Sequence, residues 1–138
     1  MFKNILVGVD GSEPSLKAVE KAAELARTVG AHLVIVTAFD PIPPYLGSPY
    51  FEEAMARQTE KAEEILEKAK ERIGDFADVE TEAIEGAPAE VILSAADVHK
   101  ADLIVLGTRG ISSIAALLLG SEALKVASHA KCPVMLVR

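Results

Sequence analysis

Tryptophan is absent from this chain, and four phenylalanines and two tyrosines make up its aromatic complement of 4%. So few rings leave no base-stacking platform for single-stranded nucleic acid. Basic residues are in the minority: 14 Lys and Arg stand against 21 Asp and Glu, a formal net charge of −7. The pI is near 5.0. Nonspecific nucleic-acid binding draws on a basic surface, so no nucleic-acid partner is expected. A single cysteine, Cys132, excludes an internal disulfide, and a cytoplasmic location is the expectation. Half of the residues are hydrophobic, yet no uninterrupted apolar run reaches the ~18 residues of a membrane span. Met1-Phe2-Lys3-Asn4 leads straight into a predicted strand and leaves no room for a signal peptide. No Cys/His cluster has zinc spacing, and no Ser/His/Asp set can be assembled from the sequence. Metal ligands therefore stay unassigned.

What is present is a regular alternation of strands and helices. The length of 138 residues fits one domain over 1–138 with a core of ordinary size. Residues 3–9 read as a first strand without polar alternation, and hence buried on both faces. Asp10-Gly11-Ser12 turns the chain, with Ser12 as N-cap and Glu13-Pro14 suited to a first helical turn. Leu16, Val19, Ala22, Ala23, Ala26 and Val29 follow at helical spacing, Glu13 and Lys17 form an i,i+4 pair, and Gly30 ends the helix. A second strand spans His32–Ala38, where His32 is read as structural. The segment Phe39–Phe51 holds Pro41, Pro43, Pro44 and Pro49 and is a loop, although an apolar one. It is either a rigid crossover packed on the domain, or a lid or partner contact.

Glu52–Ile73 is the longest predicted helix, with Met55, Ala62, Ile65, Leu66, Ala69 and Ile73 on one face and Glu53–Arg57 and Glu64–Lys68 pairs on the other. The mixed pattern of Asp78–Ile84 suggests a partly exposed edge strand. Gly86-Ala87-Pro88 opens a third helix, at whose C-terminal end His99 is read as structural. Asp102–Leu106 is a buried strand stopping at Gly107, a fourth helix starts at Ser121, and Pro133–Val137 is a last short strand bordered by Cys132, read as a small buried hydrophobe. Five strands alternating with four helices predict an α/β fold with a parallel sheet.

The stretch Leu106–Ala123 carries the chemistry. Gly107 and Gly110 enclose Thr108 and Arg109, and Gly120-Ser121 opens the fourth helix. Glycines let backbone N–H groups approach a ligand, and a helix N-terminus adds unpaired amides and partial positive charge. Together they describe a backbone cradle for phosphate. It is not a P-loop, because no Gly-Lys-Ser/Thr follows the first glycine. The Gly-x-Gly-x-x-Gly fingerprint is missing after the first strand, where Gly8-Val9-Asp10-Gly11-Ser12 stands. That loop also lacks the Ser-Gly-Gly-x-Asp-Ser run of the ATP pyrophosphatases.

The full spacing Gly-x2-Gly-x9-Gly-Ser, filled by Gly107, Gly110, Gly120 and Ser121, resembles the ATP-binding signature of the universal stress protein family. The resemblance extends from Lys3–Val7 and Asp10-Gly11-Ser12 to Cys132–Val137. It implies a Rossmann-like open five-stranded parallel sheet of order 3-2-1-4-5 with helices on both faces, similar to the adenine nucleotide alpha hydrolases. It assigns adenosine to Gly8, Val9, Asp10 and Ala38, and backbone contacts to Leu106 and Gly107. Thr108, Arg109 and Gly110 come nearer ribose and phosphates; Arg109 reaches phosphate or points to water. Gly120, Ser121 and the amides of Glu122 and Ala123 would hold the distal phosphates. The implied cofactor is ATP, with or without Mg²⁺, and the implied partner a second copy paired through Pro133–Val137.

The chain departs from the family after Gly-Ser, where Glu122 and Ala123 replace a small apolar residue and a Ser or Thr. The Glu122 carboxylate must rotate into water, share a Mg²⁺ with the phosphates, or weaken ATP relative to ADP and AMP, and rotation into water is the expectation. No general base, nucleophile or metal-ligand set is evident. The leading reading is therefore a nucleotide-binding stress-response module rather than an efficient enzyme. The alternatives are a slow ATPase or phosphotransferase and a nucleotide-independent adaptor.

Overall fold

The computed structural model describes residues 1–108 and 120–138. In chain order these form β1 (Asn4–Gly8), α1 (Glu13–Val29), β2 (His32–Phe39), α2 (Tyr50–Ile73), β3 (Val79–Glu85), α3 (Pro88–Val98), β4 (Leu103–Gly107), α4 (Ser121–His129) and β5 (Val134–Val137). A short 3-10 turn, Pro44–Leu46, precedes α2. The strands make one sheet of order β3-β2-β1-β4-β5 in which every pairing is parallel. The expected α/β architecture and strand order are thus observed.

The sheet separates two apolar cores. Ile5, Val7, Leu33, Ile35, Leu103 and Val105 pack under α1 and α2. Leu6, Val34, Val36, Ile104 and Leu106 pack under α3 and α4. Alternate residues of a strand point to opposite faces, so an unbroken apolar run such as Ile5-Leu6-Val7 supplies both cores at once. This is why β1, β2 and β4 lack polar alternation. In α1, Ser12 Oγ accepts the Ser15 N–H at 3.4 Å. At the other end, Gly30 takes φ +72° and donates to Ala26 O, a left-handed cap that suits glycine.

Local details add to the sequence reading. The Glu13 carboxylate bonds chiefly to Arg72 of α2, at 2.6 Å, with Lys17 adding a weaker attraction. Arg72 also reaches Glu20 at 2.8 Å, so its guanidinium ties the two helices together and holds Glu13 below its ordinary carboxylate range. The helix α2 begins at Tyr50 rather than Glu52. In the preceding loop Ile42 is buried, whereas Tyr45 and Tyr50 are exposed. That segment is therefore anchored at one residue and otherwise faces outward. Among the described residues, no helix is long and apolar enough to cross a membrane.

His32 starts β2 beside the edge strand. Its Nδ1 lies 2.6 Å from Asp78 Oδ1 and its Nε2 lies 2.9 Å from Glu80 Oε1. The Glu80 hydrogen bond chiefly, with Asp78 adding, raises the imidazole pKa against the opposing effect of burial. A group with a raised folded-state pKa stabilises fully below its unfolded value, here about 6.5, and that contribution fades as the pH rises through the folded value. His32→Gln should therefore lower the thermal midpoint more at about pH 6 than at about pH 8. A midpoint difference that is constant across that range would refute the pairing.

Candidate functional site

The sequence-predicted residues that lie among the described ones converge on the carboxyl edge of the sheet. β1 and β4 are neighbours, with Val7 opposite Val105, and β1 pairs with β2 through Gly8 opposite Val36. The turn after β1 and Thr108 after β4 therefore lie at the same sheet edge, and α1 and α4 begin there on opposite faces of the sheet. Crevices open where the connections of adjacent strands leave toward opposite faces.

On the first loop, Val9 is buried and donates its N–H to Val36 O at 2.9 Å. Asp10 is exposed, and its Oδ1 accepts the Ser12 N–H at 2.9 Å, while its own N–H reaches Ser15 Oγ at 3.2 Å. Between them Gly11 has φ +87°, a conformation open to glycine but strained for other residues. The turn thereby commits one Asp10 oxygen to the backbone and leaves Oδ2 without a partner among the described residues. Ala38, at the end of β2, is half-buried. Its neighbour Thr37 is 2% exposed, and its Oγ1 has no hydrogen-bond partner among the described residues. Sequence reasoning passed over Thr37. The available signal was a lone hydroxyl near the carboxyl end of an otherwise apolar strand.

On the second loop, Leu106 is buried and Gly107 half-buried. A Cβ at Gly107 would stand 2.9 Å from the carbonyl carbon and oxygen of Pro14 and 3.1 Å from Ser15 N. These are backbone atoms, which cannot yield as a flexible side chain would. Gly107 therefore permits the end of β4 to lie directly against the first turn of α1. At Gly8 the obstacles to a Cβ are side chains, Ile92 at 2.7 Å and Leu106 at 3.0 Å. Thr108 donates its N–H to Val137 O at 2.9 Å, and its carbonyl accepts from Gly120 N–H at 2.8 Å. The latter bond joins the exit of β4 to the entry of α4. Arg109 and Gly110 lie outside the described residues.

Gly120 caps α4 with its carbonyl, which accepts from Leu124 N–H at 3.0 Å, and no side chain caps that end. The amides of Ser121, Glu122 and Ala123 belong to the first turn, where α-helices leave N–H groups without internal acceptors. Ser121 is exposed, whereas the Ala123 side chain is buried in the core beneath α3 and α4. Ala123 can thus offer a ligand only its backbone.

Glu122 overturns the expectation that its carboxylate points into water. Oε2 accepts the backbone N–H of Ala89 at 2.8 Å, in the first turn of α3. Ala87, the residue before that helix, has no side-chain acceptor to offer, so Glu122 supplies from α4 the cap that α3 lacks. The carboxylate is near two helix N-termini, where negative charge is favourable. Hydrogen bonds to ionised groups contribute about 1.5–3 kcal/mol, more than the freedom of a solvated side chain offsets. Glu122→Ala should destabilise the fold by about 1–2 kcal/mol, and Glu122→Gln by less, because the amide oxygen can still accept. Equal stability of wild type and Glu122→Ala in urea titrations would exclude this cap.

Comparison with known proteins agrees with the architecture. The model of the universal stress protein family matches residues 1–138. A universal stress protein of Thermus aquaticus, encoded 3′ of a QAH/OAS sulfhydrylase, is 46% identical over 138 residues, covering 100% of both chains. The solved UspA of Lactobacillus plantarum is 29% identical with a TM-score of 0.84, over 99% of this chain and 97% of that one. A universal stress protein crystallised in complex with cAMP is 34% identical with a TM-score of 0.78, again over 99% and 97% of the two chains. With the sheet order, the glycine spacing and these relatives in agreement, the chain belongs to the universal stress protein family.

Proposed function

We propose that residues 1–138 form a single cytoplasmic domain that binds ATP, with or without Mg²⁺, and acts as a nucleotide-dependent stress-response module. The observation that carries this reading is the first turn of α4, which no side chain caps, at the same sheet edge as the Asp10 turn. A helix start of this kind suits phosphate. Gly8, Val9, Asp10 and Ala38 offer main-chain groups and one carboxylate to an adenosine. Leu106, Gly107, Thr108, Arg109 and Gly110 lead from there to Gly120, Ser121, Glu122 and Ala123, whose amides would receive the distal phosphates. Oδ2 of Asp10 suits a ribose hydroxyl or a phosphate-bound Mg²⁺. Thr37 Oγ1 offers a further polar group. The relative solved with cAMP supports an adenine nucleotide as ligand. Because Glu122 is bonded to Ala89, its charge is directed at α3 rather than at a triphosphate.

Calorimetry should show ATP binding more tightly than GTP, because strand-end main chain reads the adenine edge whereas the cradle reads only phosphate. Gly120→Val tests the cradle: φ −61° and ψ 150° at Gly120 are accessible to any residue, so the fold should persist while affinity falls at least about tenfold. Unchanged ATP affinity in a folded Gly120→Val protein would remove the phosphate assignment.

The same reading includes a homodimer through the last strand, Pro133–Val137. β5 pairs with β4 along one side and with no other described strand, and Met135 on it is 38% exposed. An open apolar edge is a template for pairing, and a two-fold copy would satisfy it symmetrically. Light scattering should give twice the chain mass for wild type and a monomer for Met135→Lys. A monomeric wild type would end the proposal.

A further inference from the structure

The other edge of the sheet carries a cluster that the nucleotide reading does not use. Asp78 precedes β3, and Glu80 and Glu82 lie on it two residues apart, so both glutamates project toward the α3 face. The register sets Val34 opposite Glu80 and Val36 opposite Glu82, and those valines belong to the core under α3. His99, the residue ending α3, comes down onto the same place. Its Nε2 contacts Glu82 Oε1, and its Nδ1 is 3.7 Å from Glu80 Oε1. One ligand atom from each of Glu80, Glu82 and His99 lies within 4.8 Å of the other two.

We propose that Glu80, Glu82 and His99 form a binding site for a divalent transition cation of the Zn²⁺ class. The donor set fits that class. Zn²⁺ takes imidazole nitrogen and carboxylate oxygen at about 2.0–2.2 Å, and three protein ligands leave a position for water. Ca²⁺ and Mg²⁺ prefer oxygen ligands alone and in greater number. Access is adequate, since Glu80 and Glu82 side chains are 46% and 34% exposed, while His99 at 17% gives the site a fixed wall.

His32 acts as a positioning residue. It holds Glu80 Oε1 at 2.9 Å and is itself held by Asp78 at 2.6 Å. Such outer hydrogen bonds orient metal-binding carboxylates.

The test is titration of the chelator-stripped full chain with Zn²⁺ alone, without nucleotide, by isothermal calorimetry. One ion per chain is expected. Glu82→Gln, nearly isosteric, and His99→Ala should each weaken Zn²⁺ at least about tenfold. His129→Ala should leave affinity unchanged, because that ring bonds Lys125 O of its own helix at 2.9 Å, outside the cluster. Circular dichroism establishes that the variants are folded. Zn²⁺ should also raise the thermal midpoint of wild type and of His129→Ala but not of Glu82→Gln. Absence of saturable binding, or wild-type affinity in folded Glu82→Gln and His99→Ala, would overturn the site and leave an adventitious ion only.

Discussion

Contact between two backbones, made where Gly107 meets the first turn of α1, is the constraint on which the candidate nucleotide site depends. Pro14 and Ser15 occupy the space a Cβ would need at Gly107, so β4 ends flush against the helix that follows β1. That contact brings the Asp10–Ser12 turn beside the chain leaving β4. The parallel pairing of β1 with β4 supplies the alignment, and the absent side chain supplies the closeness. Asp10 and Gly107, about a hundred residues apart in the chain, then come to the same sheet edge. Thr108 extends the arrangement by accepting from Gly120, which sets the start of α4 against the same edge.

The disposition of acidic side chains follows a related logic. For the first turns to serve an anion as proposed, their carboxylates must not compete for the amides. Glu13 and Glu122 lie in the first turns of α1 and α4, and each is engaged elsewhere: Glu13 by Arg72 on α2, and Glu122 by the Ala89 amide on α3. Both interactions also join one helix to another, so the same bonds that brace the layers remove negative charge from those first turns. At the edge strand β3 the carboxylates are instead gathered, with Asp78, Glu80 and Glu82 meeting His32 and His99. The start of α1 and the start of α4 thus have these carboxylates bonded away, whereas the β3 side of the sheet concentrates carboxylates beside two histidines.

Much of the fold was legible because the signals were local and repeated. The unbroken apolar runs of β1, β2 and β4 mark strands buried on both faces, and Ser12 and Gly30 bracket α1 by chemistry that acts within one turn. The mixed pattern of β3 announced its edge position, which the pairing with β2 alone confirms among the described strands. Side-chain partners were less legible. Lys17 was the nearest cation to Glu13 in sequence, yet Arg72 lies closer in space, its Nη2 donating to both Glu13 oxygens while its Nη1 donates to Glu20. Water was a reasonable expectation for Glu122 until α3 brought an unpaired amide to it. The histidines illustrate the same limit: His32 and His99 looked solitary because they are far apart along the chain, and Glu80 is what they share.

By itself, the sequence determined the alternation of strands and helices, the apolar faces and the glycine spacing at the carboxyl edge. Each of these follows from periodicity or from backbone freedom at a single residue, properties that need no distant partner. Only the tertiary structure decided which charges meet. Glu122 caps a helix that begins more than thirty residues earlier, accepting from Ala89 N–H, and Glu82 meets His99 because α3 crosses back over the edge strand. Electrostatic and hydrogen-bond partners are chosen by distance in space, and the crossovers of a parallel sheet make that distance independent of separation along the chain.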